Sequence, residues 1–395
     1  MEFRRKSSFT LNSEVMAGAT INLLRDLIAI DSVNPSLAPG GSGETQIADA
    51  IAAELRSGGM DVEIQQVTSG RSNVIGLLDG RKKGRTLMFC GHMDTVGVIG
   101  MDAPFDPQQR DGRIYGRGAQ DMKGGLASMM AAALHLSKNN ALGAGRLMIA
   151  AVIDEEYASI GADALVTKWK ADAAVVGEPT DMKIAVGHKG FEWVEVTTEG
   201  IAAHGSRPDD GRDAILRMGR VLSRLEVLNG EIRSRHPHPI LGTGSLHASL
   251  ISGGRELSTY PDRCTLQIER RTIAGEPSRC GLIEVENILE RLRNEDAEFK
   301  ASAKFLLDRP PYLTPPDHEV PKLMESALVN RGVKPVRDGM SFWTDAAILG
   351  HAGIPSVVFG PRGAGLHSTS EYVLADDVLT CRDVLIELAI DFCSK

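Results

Sequence analysis

The sequence predicts an α/β protein: an open, mostly parallel sheet with an inserted ferredoxin-like α+β domain. Three observations predict it. Apolar strand-like runs alternate with helical periodicity up to about residue 185, the texture changes near Gly187, and the alternation resumes beyond Arg309-Pro310-Pro311. The expected boundaries are residues 1–185, 186–303 and 304–395, the last segment returning to the first domain. A chain of 395 residues with 42% hydrophobic content has ample material for such cores.

Ile21, Leu24 and Ile28 recur at helical spacing until Asn34-Pro35, where proline ends the pattern. A second helix carries Ile47, Ile51 and Leu55 and stops at Gly58-Gly59. Runs at residues 62–67, 74–78 and 87–90 read as strands, and the last is continuously apolar, as a strand covered on both faces should be. A small-residue helix (residues 123–137), a strand (147–153), a helix (162–169) and a strand (173–176) follow. In the insert, Phe191, Trp193, Glu195 and Thr197 share one face of a strand and Val194 and Val196 the other. A helix through Met218 and Leu225, strands at 246–251 and 264–272, a helix through Val285 and Leu292 and a strand near 299–307 complete β-α-β-β-α-β. The closing segment holds a helix at 323–329, a strand at 355–359 and a terminal helix at 376–392.

Acidic residues outnumber basic ones, 52 to 44, for a formal charge of −8. That field repels phosphate backbones and anionic lipid, so neither a nucleic-acid nor a membrane partner is expected. No apolar stretch approaches the ~20 residues of a membrane span. The basic start, Met1-Glu2-Phe3-Arg4-Arg5-Lys6, leads into polar residues rather than the apolar core of a secretory signal. Five scattered cysteines (Cys90, Cys264, Cys280, Cys381, Cys393), none in a C-x-x-C pair, argue against a disulfide framework or a thiolate zinc site. A reducing, cytoplasmic setting is expected.

Candidate metal ligands recur just past the strands. His92 and Asp94 follow the 87–90 run, Asp154-Glu155-Glu156 the 147–153 run and Glu178 the 173–176 run, while His367 lies one glycine-rich loop beyond 355–359. Ligands of open α/β sheets bind outside the carboxyl ends of the strands. Asp121 joins this set through the loop that opens the next helix. Imidazoles mixed with carboxylates suit Zn²⁺, Co²⁺ or Mn²⁺. So many carboxylates exceed the needs of one ion, and a second ion bridged by a carboxylate such as Asp121 relieves the excess. Asp94, two residues from His92, is placed to orient its imidazole. Glu155 and Glu156, if extended, point oppositely, so that one ligates while the other stays free as a base.

The motifs resemble a known family of two-metal amidohydrolases and metallopeptidases that includes acetylornithine deacetylase, succinyl-diaminopimelate desuccinylase, aminoacylase and glutamate carboxypeptidase. The matching segments are Gly91-His92-Met93-Asp94-Thr95-Val96, Gly116-Arg117-Gly118-Ala119-Gln120-Asp121-Met122-Lys123-Gly124-Gly125, Asp154-Glu155-Glu156, Gly177-Glu178-Pro179-Thr180, Ala203-His204-Gly205-Ser206 and Gly365-Leu366-His367-Ser368-Thr369-Ser370-Glu371. The resemblance implies His92 and Glu178 on one metal, Glu156 and His367 on the other, Asp121 bridging, Glu155 as general base and Asp94 behind His92. It further implies that the insert is a lid through which two chains form a homodimer, and that His204 stabilises the oxyanion from the partner subunit. An arginine at Arg271, with Arg270 competing, would receive the substrate carboxylate. The chain departs from the family at Ser258, where many members carry asparagine, and at Arg362, which puts a cation near the pocket mouth to read an acidic group. The implied activity is metal-dependent hydrolysis of the amide bond of an N-acyl amino acid. The alternatives are a carboxypeptidase or dipeptidase using the same metals, and a catalytically silent metal-binding or interaction protein on the same scaffold.

Overall fold

The computed structural model describes the backbone of residues 2–395 and the side chains from residue 15 onward. The expectation drawn from the first residues, that they carry no secretory signal, lies outside the described side chains. The chain divides into two compact units, one from residues up to 186 with 314–338 and 344–395, the other from residues 187–313 and 339–343.

The first unit is built on a mixed sheet. Its strands run Asp61–Thr68, Arg71–Asp79, Arg146–Val152, Thr86–His92, Ala173–Val176, Ser356–Val358 and Ile184–His188 in spatial order. The centre is parallel, since Thr86–His92 pairs in that sense with both neighbours and Ser356–Val358 does so with Ala173–Val176. The outer pairings are antiparallel. Alternation explains how this sheet is covered twice. Leu87, Phe89, Leu147, Ile149, Ala173 and Val175 belong to one core with the helices Thr45–Ser57, Gly124–Lys138 and Ala375–Cys393. Met88, Cys90, Met148, Ala150, Ala174 and Val176 are equally buried but lie outside that core, facing the other way. The short helices Ile160–Lys168 and Ala346–His351 pack on each other and on the sheet.

Burial at ~25 cal/mol per Å² makes these two faces the main stabilising term of the unit. It also leaves the carboxyl ends of the parallel strands as the one place where polar side chains can gather. A small antiparallel sheet that the hydrophobic pattern does not announce joins Gln108–Arg110, Arg113–Tyr115, Tyr372–Leu374 and Gly363–Ala364. Among the described residues no helix is long and apolar enough to cross a membrane.

The second unit has the strand order Ser245–Gly253, Arg263–Thr272, Gly190–Glu199, Lys300–Arg309, all antiparallel. In chain order this is 2-3-1-4, and with the helices Ala214–Ser234 and Cys280–Glu295 on one face it is a ferredoxin-like unit. The last strand runs on to Arg309 in register with Phe191, past residue 303. Val194, Val196, Leu266 and Ile268 fill its core with Met218, Leu225, Val285 and Leu289. The polar alternation holds too. Arg270 is fully buried between Glu276 and Glu284, whereas Arg271 turns to the opposite face, pairs with Glu269 at 2.6 Å and lies over the Phe191 ring.

Candidate metal centre

Three strand ends and two loops of the first unit bring the predicted ligands together. His92, the last residue of its strand, is buried, and its Nε2 lies 3.1 Å from Asp121 Oδ1 and 3.6 Å from Glu178 Oε1. His367 Nε2 lies 3.3 Å from Asp121 Oδ2 and 3.2 Å from Glu156 Oε2. The two oxygens of Asp121 therefore face two different imidazoles. Ligating atoms of His92, Glu155 and Glu178 lie within 4.8 Å of one another, as do those of His92, Asp121 and Glu156.

Local sequence explains these placements. Gly118 adopts φ +81 at the turn before Asp121, where a Cβ would come within 2.8 Å of Thr95 Cγ2. Gly125 lets the helix Gly124–Lys138 close on the strand end before Glu178, because a Cβ there would meet the Gly177 carbonyl oxygen at 1.8 Å. Glu371 fastens the Asp121 loop to the loop carrying His367. Its carboxylate accepts the backbone N–H groups of Gly118 (3.0 Å), Gln120 (2.8 Å) and Asp121 (3.1 Å) and a bond from Arg117 Nη1 at 2.7 Å. Arg117 also donates to the Ser368 carbonyl, and the small sheet pairs Ile114 with Val373 beside this junction.

Two local expectations differ from what is observed. Glu155 and Glu156 do not point oppositely from an extended chain. Asp154 takes a left-handed conformation, φ +68, and the following residues form a turn that aims both carboxyls into the cluster. The nearest acceptor of His92 Nδ1 is the backbone carbonyl of Asp94 at 2.9 Å, with the Asp94 carboxylate at 3.6 Å. That carboxylate is engaged by Asn34 Nδ2 at 2.7 Å and by the N–H groups of Glu155 and Glu156, each at 3.2 Å. With Nδ1 committed to a carbonyl, Nε2 is the nitrogen that faces the carboxylates and the one that would ligate a metal once its proton is displaced.

The electrostatics of the cluster ask for positive charge. Burial and the neighbouring Glu178 push Glu155 well above the usual carboxylate range, burial with Asp121 and Glu156 does the same to Glu178 against the opposing pull of His92, and burial with Asp121 lifts Glu156 to about 7. Against the effect of burial, His367 and His92 hold Asp121 below its ordinary value. Asp121 and Glu156 raise His367 to about 10. Glu156 Oε1 is buried with no hydrogen-bond partner among the described residues. An orphaned buried carboxylate oxygen in a set of imidazole and carboxylate donors fits divalent cations.

The remaining predicted residues are placed as follows. His204 and Ser258 meet in the second unit, where Gly205 N–H donates to the Ser258 carbonyl at 2.7 Å. His204 is exposed, and its Nδ1 accepts the Ser206 N–H at 3.2 Å, so that Nε2 carries the proton. Arg362 in the first unit donates from Nε and Nη2 to the two oxygens of Asp377, at 2.5 and 2.8 Å. Composition and periodicity passed over Asn34, Arg71 and Lys123. Lys123 is fully buried, donates to the Ile30 carbonyl at 2.8 Å and is brought down to about 7 by burial.

A mixed α/β sheet with imidazoles and carboxylates converging at its carboxyl ends defines a hydrolase built around cation-binding groups. The chain belongs to peptidase family M20/M25/M40, whose model matches residues 88–391. It is 30% identical over 391 residues to an acetylornithine deacetylase of Myxococcus xanthus, covering 94% of this chain and 96% of that one. It is 27% identical over 393 residues to the N-formyl-4-amino-5-aminomethyl-2-methylpyrimidine deformylase of Bacillus subtilis, covering 91% and 92%. Among solved structures, a tripeptidase from Staphylococcus aureus superposes with TM-score 0.80 at 21% identity over 96% of this chain and 99% of that one. A dinuclear metal binding peptidase of family M20 from Bacillus subtilis does so with TM-score 0.74 at 17% identity over 96% and 99%. The protein is an enzyme acting on amide bonds, with deacylase or peptidase activity.

Proposed function

We propose that the protein is a two-metal deacylase that hydrolyses the amide bond of an N-acyl amino acid. The observation that carries this reading is Asp121, whose two oxygens separately face His92 at 3.1 Å and His367 at 3.3 Å. In this reading His92 and Glu178 would hold one cation and Glu156 and His367 the other, with Asp121 available to both. The donor set favours Zn²⁺, with Co²⁺ and Mn²⁺ as alternatives. When bound, such a pair supplies Lewis acidity toward an acyl oxygen and acidifies water toward a pKa of about 7.

The chain's own residues supply the rest. Glu155, its carboxyl raised by burial and by Glu178, takes the proton from water and returns it to the leaving amine. Asp94 holds the backbone of Glu155 and Glu156 and, through its carbonyl, the His92 ring. His204, with Nε2–H available, donates to the developing oxyanion, acting in the partner subunit's site. Arg271 would receive the substrate carboxylate; among the described residues its Nε bonds Glu269 and its terminal nitrogens keep their donors. Ser258, which bonds Gly205 and precedes His204's bridge partner Thr259, would line the same pocket. Arg362, committed to Asp377, has the lesser part in reading acidic groups.

The homodimer would form through the second unit. Its outer strand Ser245–Gly253 pairs on one side only and exposes Leu250 (66%) and Ile251 (55%), an uncovered edge of the kind a second copy can extend. Five free, buried cysteines fit a reducing, cytoplasmic setting. The runner-up is a carboxypeptidase or dipeptidase. A panel of acetyl, succinyl, formyl and aminoacyl amino acids, each assayed with Zn²⁺, Co²⁺ and Mn²⁺, separates the two. Turnover of acyl but not aminoacyl substrates supports the deacylase, and the reverse pattern refutes it.

A further inference from the structure

The turn that delivers Glu155 and Glu156 is held by a chain of buried polar groups that the reaction itself does not consume. Asn34 stands at its centre and is fully buried. Its Nδ2 donates to Asp94 Oδ2 at 2.7 Å and to Asp154 Oδ1 at 3.1 Å, while its Oδ1 accepts the N–H of Ser36 at 2.8 Å. Those two aspartates hold the turn, Asp94 through its carboxylate and Asp154 through its main-chain carbonyl. Asp94 accepts the N–H groups of Glu155 and Glu156, and Asp154 is the left-handed residue whose carbonyl accepts N–H from Ala158 at 3.1 Å and Ser159 at 2.6 Å. Behind them Arg71 donates to Asp154 Oδ1 at 2.8 Å and to both oxygens of buried Glu44, at 2.7 and 2.5 Å.

We propose that Asn34 is a positioning residue for this turn, tying the carboxylates of Asp94 and Asp154 together so that Glu155 and Glu156 are aimed into the metal cluster. The inference rests on the reading of Glu155 as the general base. The chemistry singles out an amide. Asp94 and Asp154 are both acceptors, so the group between them must donate twice, and it must also accept the N–H of Ser36; an amide does both, whereas an ammonium cannot accept and a carboxylate cannot donate. Asn34→Asp keeps the shape, removes both donors and adds a fourth carboxylate to a network that already holds Asp94, Asp154 and Glu44. A left-handed Asp154 is sparsely populated on its own and persists because its surroundings hold it.

The test uses the full-length, metal-loaded enzyme and compares wild type with Asn34→Asp, Asn34→Ala and Glu155→Gln. It reads kcat, KM, bound metal and amide hydrogen exchange. A misplacement of about 1 Å costs on the order of 100-fold. The Asn34 variants should therefore lose about 10- to 100-fold in kcat, with KM within about threefold and both metals retained. Exchange should accelerate at the Glu155 and Glu156 amides and not across the rest of the sheet. Wild-type kcat in a folded Asn34 variant, a loss that tracks metal loss, or acceleration spread over the whole unit overturns the proposal. Should both Asn34 variants fail to fold, Arg71→Lys decides, since it keeps the charge but not the fork. Lowered kcat with local exchange at the turn supports the inference, and wild-type values refute it. If Glu155→Gln turns over normally, the reading of the base fails instead.

Discussion

The two imidazoles of the cluster sit in opposite surroundings. His92 ends a central strand, its side chain has no exposed surface, and a main-chain carbonyl two residues on fixes its ring. The side chain of His367 is 55% exposed, and the residue lies on a loop two residues past Gly365, with its own backbone at φ +58. Both face Asp121, yet one is part of the sheet and the other is brought in by Glu371 and Arg117. The contrast teaches that the fold preforms one half of the site and fastens the other half to it. The half with Glu178 should bind its cation tightly, and the half with Glu156 and His367 should exchange more readily.

The sharpest probe of the buried half is Glu155→Ala. Turnover should fall by about 10²- to 10⁴-fold, the usual contribution of a general base, with both cations retained by elemental analysis; near-normal kcat would reassign the base. Next is a comparison of His92→Ala with His367→Ala. Loss of His92 leaves Glu155, Glu178 and Asp121 crowded without their buried partner, so metal content should collapse and the melting temperature drop. Loss of His367 should leave a folded protein with one cation, and equal losses in the two variants would erase the distinction.

A smaller effect is expected at the fastening. Glu371→Gln keeps one acceptor oxygen where Glu371 now serves three N–H groups and Arg117. Each orphaned buried donor costs about 1–3 kcal/mol, so urea denaturation should show a loss of that order, together with weaker binding of the second cation alone. The gentlest probe is pH. His367, raised from its ordinary 6.5 to about 10, contributes stability to metal-free protein that is complete below pH 6.5 and lost as pH climbs toward 10. Glu156, lifted to about 7, favours its neutral form in the fold and costs stability as pH rises from 4.5 to 7. The melting temperature in chelator should therefore fall with rising pH. Metal affinity should increase over the same range, because protons leave the ligands. Parallel curves with and without metal would contradict this.

Much of the site is legible in the sequence for one reason: continuous apolar strands end where their ligands begin. The runs ending at Cys90, Ile153 and Val176 point to His92, Glu155, Glu156 and Glu178 because a buried parallel strand has only its end for chemistry. Strand alternation also separates Arg270 from Arg271, and the structure buries the former. The rest escapes because it has no period. Tyr372–Leu374 and Arg113–Tyr115 are three-residue strands whose partners lie far apart in the chain. The left-handed Asp154 reverses the expected divergence of Glu155 and Glu156, and although aspartate visits φ > 0 more readily than most residues, nothing local tells which of the chain's aspartates does so. Asn34 reads as an ordinary turn residue before proline, since its role depends on Asp94 and Asp154 arriving from distant strands.

The most direct measurement is anomalous diffraction from crystals of the zinc-loaded enzyme. Two peaks about 3.5–4 Å apart are predicted, astride the Asp121 carboxylate, one against His92 and Glu178 and the other against Glu156 and His367. A single peak, or a second one remote from His367, would contradict the account.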